Sequence, residues 1–76
     1  MNAERRKRIE AIKAKIEELR DDIDAIRDEE QEYFDAMPES LQGGEKGEKA
    51  SAAVDELQEA YDALDGAVAN LDTAGE

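Results

Sequence analysis

Nine positions in the first half of the chain, Ile9, Ile12, Ile16, Leu19, Ile23, Ile26, Glu30, Tyr33 and Met37, follow alternating steps of three and four residues, and only Glu30 among them is not apolar. Such spacing keeps side chains on one stripe of an α-helix and predicts a long helix with a coiled-coil-like seam. Residues 54–74 read VDELQEA, YDALDGA and VANLDTA, three consecutive heptads with Leu at the fourth place and Ala at the seventh. A second seamed helix is predicted there, with Val54, Leu57, Tyr61, Leu64, Val68 and Leu71 along its apolar stripe. Between the two lies MPESLQGGEKG, whose Pro38 and glycines interrupt both patterns. The economical reading is an all-α fold, a single 1–76 domain in which two helices fold back on each other as an antiparallel hairpin.

The boundaries follow from local chemistry. The first helix is placed at residues 3–36, with Asn2 able to cap it and Met37-Pro38 ending it. The turn occupies 37–44 and has room for a helical turn, with Pro38 suited to its first position and Leu41 able to fold onto Met37 or Phe34. The second helix is placed at 45–73, because Glu45 and Glu48 suit a first turn and Gly75 offers a stop.

Ala53, Ala60, Ala67 and Ala74 recur every seven residues beside the second seam and predict an edge where another backbone comes close. Two helices of this size leave the outer edges of their seams uncovered, so a second copy is the expected partner. A homodimer forming a four-helix bundle results.

Charge adds a direction. The chain carries 22 acidic and 10 basic side chains, a net charge of −12. Residues 1–20 hold seven basic groups against four acidic ones, whereas 21–76 hold three against eighteen. Arg5, Arg6, Lys7 and Arg8 open the first helix at the dipole end that disfavours cations, and Asp72 and Glu76 close the second at the end that disfavours anions. Folded back, the two ends can offset each other. A pairing of Glu30 with Lys49 across the seam is a further expectation, set against a partly exposed Glu30 with no such role.

Little chemistry is available. Without histidine or cysteine the chain has no disulfide framework, no thiolate nucleophile and no soft metal site. The glycines of Gly43-Gly44-Glu45-Lys46-Gly47 lack the spacing of a phosphate-binding loop. Asp21, Asp22, Asp24 and Asp28, like Asp62 and Asp65, fall mostly on outer faces, where solvated carboxylates make poor general acids. No enzyme activity, catalytic residue, cofactor or dedicated metal site is expected.

The expected function is therefore a non-enzymatic protein–protein interaction or assembly module, with a protein partner of unknown identity. Two alternatives come from other classes. Rows of carboxylates such as Glu17, Glu18, Asp21, Asp24, Asp28, Glu32 and Asp35 could mimic nucleic-acid phosphates and inhibit an enzyme that works on nucleic acid. The basic run Arg5–Arg8 could bind nucleic acid weakly, although four basic residues on an acidic chain without interleaved aromatics favour the charge-offset role. Tyr33, Phe34 and Tyr61 read as core fillers. No apolar stretch reaches the length of a signal peptide or membrane span, which makes the cytoplasm the default location.

The segment Glu32-Tyr33-Phe34-Asp35-Ala36-Met37-Pro38-Glu39-Ser40-Leu41-Gln42, followed by Gly-Glu-Lys and the alanine-leucine heptads, resembles short uncharacterised proteins of bacteria and their phages. Those share a Tyr-x-x-x-Met-Pro-Glu-Asn/Ser-Leu-Gln core and end in acidic heptads. The likeness covers roughly residues 28–74, and the chain departs from it at Gly44 and Gly47, where a capping serine and an aromatic are usual. It implies a helical hairpin in a mobile-element setting and carries over no catalytic residue.

Overall fold

The computed structural model describes all 76 residues. They form three helices and no strand: α1 (Ala3–Asp35), the single turn α2 (Glu39–Gln42) and α3 (Glu45–Ala74). α1 and α3 lie along each other, and the molecule measures 58 × 14 × 12 Å.

The chain's own caps set these limits. Asn2 is extended, and its side-chain oxygen accepts a hydrogen bond from the Arg5 N–H at 2.8 Å, satisfying one of the free donors at the start of α1. At the other end Pro38 keeps Met37 out of the helix. The Ala36 N–H still reaches the Glu32 carbonyl, and the Gln42 amide then donates to the carbonyls of Phe34 and Met37, each at 3.2 Å. Gln42 thus ties α2 back onto the end of α1. Pro38 stands just before α2 rather than at its first position, and its carbonyl accepts from the N–H groups of Leu41 and Gln42. α3 begins after the extended Gly44, whose carbonyl takes the Glu48 N–H at 2.9 Å, and Gly75 closes it by donating to the Leu71 carbonyl.

Gly47 and Ala50 are the only buried residues, and both lie in the first turns of α3. The chain comes closest to itself there. A Cβ added at Gly47 would stand 2.6 Å from the Gln42 Cα and closer still to its carbonyl group. Because those atoms are backbone, no side-chain rotation could relieve the overlap, and only glycine lets α3 pass under α2. Beyond this point the helices are held by half-buried side chains alone: no large side chain in the chain is fully buried.

Candidate interaction surface

The contacts between α1 and α3 form a ladder. Lys13 pairs with Asp72, Arg20 Nη1 donates to Asp65 Oδ1 at 2.7 Å, and Arg27 donates to the Gln58 side-chain oxygen. Each rung is seven residues beyond the last on α1 and seven before it on α3, so the two helices run in opposite directions. Arg6 extends the series by donating to the Gly75 carbonyl at 3.1 Å. The Lys13, Arg20 and Arg27 side chains are only 14%, 21% and 23% exposed, although each ends in a charge. Their aliphatic stems therefore lie over the apolar seam while the charged heads reach its rim. Arg20 also places its guanidinium 5.5 Å from the centre of the Tyr61 ring, and its Nε has no hydrogen-bond partner.

The hydrogen bond that the Lys13 ammonium donates to Asp72, reinforced by the carboxylate's charge, holds Lys13 protonated above the ordinary lysine range despite the opposing effect of burial. A group raised in this way contributes fully at neutral pH. On the alkaline side its contribution fades as the pH climbs past the lysine range.

Rung energetics separate stem from charge. Arg20→Met keeps much of the stem and should cost less than about 1 kcal/mol, because the Asp65 partner is largely solvated. Arg20→Ala removes the stem as well and should cost about 1–2 kcal/mol. Urea unfolding at one fixed protein concentration measures both; equal losses would mean that charge, rather than cover, is what Arg20 supplies.

The ladder decides which part of the first seam meets α3. Ile9, Ile16 and Ile23 are half-buried, in line with the rungs at 13, 20 and 27. The alternate row is not covered. Ile12, Leu19, Ile26 and Tyr33 remain 48%, 56%, 51% and 51% exposed. On α3, by contrast, Val54, Leu57, Tyr61, Leu64, Val68 and Leu71 are all half-buried. Met1 and Leu41, the other large apolar residues left exposed, lie near the two ends of the open row. Two shallow hollows flank it: about 210 Å³ lined by Met1, Arg5, Arg8, Ile9 and Ile12, and about 270 Å³ lined by Tyr33, Ala36, Met37, Pro38, Leu41 and Lys46.

Several expectations change here. Asp72 is paired by Lys13, and within the run Arg5–Arg8 only Arg6 reaches the end of α3, so the offset between helix ends begins one turn inside the basic run. Lys49 pairs with Glu45 on its own helix at 3.1 Å, not with Glu30, because four residues along one helix bring the two side chains together without crossing the seam. Leu41 is half exposed instead of folded away. Of the alanine edge, Ala53, Ala60 and Ala67 are half-buried and Ala74 is exposed.

No protein-family model, curated protein or solved structure matches the chain.

Geometry is therefore the guide to function. Nowhere do three or more acidic side chains converge into a group able to hold a metal ion. No helix is long and apolar enough to cross a membrane. The one extended feature that differs from an ordinary solvated helix face is the open apolar row of α1. The Lys13, Arg20 and Arg27 ladder escaped the sequence reading, yet its signal was present as basic residues every seven positions on one helix matched by Gln58, Asp65 and Asp72 every seven on the other.

Proposed function

We propose that the chain is a non-enzymatic assembly module, an antiparallel helical hairpin that pairs with a second copy of itself into a four-helix bundle. The observation that carries this reading is the open row Ile12, Leu19, Ile26 and Tyr33 on a chain with no large side chain fully buried. Area supports it. The exposed surface is 5520 Å², whereas a compact monomer of this mass exposes about 4600 Å². The excess is close to the roughly 800 Å² that each partner contributes to a standard protein interface.

Self-association of this kind makes folding depend on concentration. The thermal midpoint should rise by several degrees for each hundredfold increase in protein, because the paired state is favoured by mass action. Circular dichroism melts across that range are the test, and a midpoint independent of concentration would remove the self-assembly reading.

A further inference from the structure

Resting on that reading, we infer that the two copies meet α1 against α1 in opposite directions, about a twofold axis passing beside Asp22, with the row Ile12, Leu19, Ile26 and Tyr33 as the shared face. Placement of the apolar side chains points to α1. Every large apolar side chain left exposed lies on α1, just before it or in the turn after it, and none lies on α3. The row is also evenly spaced. An axis midway between Leu19 and Ile26 sets Leu19 against the partner's Ile26 and Ile12 against the partner's Tyr33. All four side chains are then covered at once, whereas sliding the copies by one heptad leaves an end of the row uncovered.

Charge selects the direction. Arg8, Lys15, Asp22 and Glu29 form the exposed row beside the apolar one, three residues after or four before its members. Its sign reverses midway, as does that of α1 as a whole, which carries eight acidic groups and one basic group over residues 21–35. Two copies related by a twofold axis and running in the same direction would carry this row on opposite sides of the contact, so Lys15 would meet neither its own copy nor the partner's Glu29. Running oppositely, Lys15 faces the partner's Glu29 twice, and the single like-charged meeting is Asp22 with its own copy on the axis. The hollows agree with this alignment. The one beside Ile12, walled by Arg5 and Arg8, receives the partner's Tyr33, whose ring offers those guanidinium groups an aromatic face.

The absence of cysteine from the native chain makes the geometry directly testable. Single variants Asp22→Cys, Lys15→Cys and Glu29→Cys are oxidised under mild conditions as full-length chains, after sedimentation has established their assembly state. Asp22→Cys should form a disulfide-linked dimer, because only a residue near the axis meets its own copy. Lys15→Cys and Glu29→Cys should remain unlinked alone and join when mixed. Self-linking of Lys15→Cys or Glu29→Cys as readily as Asp22→Cys would put the axis elsewhere and overturn the inference, as would a dimeric Asp22→Cys protein that does not link. A monomer at every concentration would instead overturn the self-assembly reading on which it rests. A charge test is independent of cysteine. Lys15→Glu should weaken dimerisation roughly tenfold, and adding Glu29→Lys in the same chain should restore it; a same-direction pair gains nothing from the second change.

Discussion

Gly47→Ala is expected to destabilise the protein by about 2–3 kcal/mol even though alanine is the better helix former. Alanine propensity favours the change by about 1 kcal/mol within a helix. The overlap with the Gln42 backbone outweighs it, since α2 must then move away from α3 and the Gln42 amide must release the carbonyls of Phe34 and Met37. The same substitution at Gly66 has the opposite expectation. A Cβ there has nothing within 4 Å, so Gly66→Ala should stabilise by about 0.5–1 kcal/mol through helix propensity alone. Urea denaturation of both variants at equal concentration checks the contrast. If Gly47→Ala were neutral or stabilising, the close approach of α2 and α3 would not be what positions the turn.

This contrast marks a boundary in what the residues disclose. Both glycines lie within stretches predicted as helix, and nothing in their neighbours separates a glycine that admits another backbone from one facing solvent. The all-helical class was legible because three- and four-residue spacing has only one regular solution. Chain breaks were legible for chemical reasons: Asn2 has a side chain that can cap, and Pro38 excludes helix from the residue before it. Rotation of α1 about its own axis was not, because its seam offers two apolar rows, 9-16-23 and 12-19-26, of almost equal hydrophobicity. What resolves them is the third row. Lys13, Arg20 and Arg27 have stems long enough to cover the seam of α3 and heads able to reach Asp72, Asp65 and Gln58, so the helix turns that flank inward and the row containing Leu19 outward. Glu30 and Lys49 show the same limit from the other side. Opposite charges on two helices suggested a bridge, but Glu45 one turn away on the same helix offers Lys49 a partner at less entropic cost.

Replacing Leu19 and Ile26 together by lysine should weaken dimerisation roughly a thousandfold, since each symmetric pair would bury four fewer apolar side chains and would have to desolvate four new charges. Both residues are about half exposed and outside the ladder, so the helix pair itself should keep its helical content when examined at concentrations where the variant is monomeric. Conversion to a monomer with retained helicity separates this face from the one that holds α1 to α3. An equivalent pair of changes at Ile16 and Ile23, which are half-buried against α3, should reduce helicity as well as assembly.

Equilibrium sedimentation of the native chain beside the Leu19→Lys/Ile26→Lys variant measures that difference most directly. At tens of micromolar the native protein should sediment at twice the 8.4 kDa chain mass and the variant at the single-chain mass. A native chain that remains at the single-chain mass while fully helical would contradict the claim that the open face of α1 is built for a second copy.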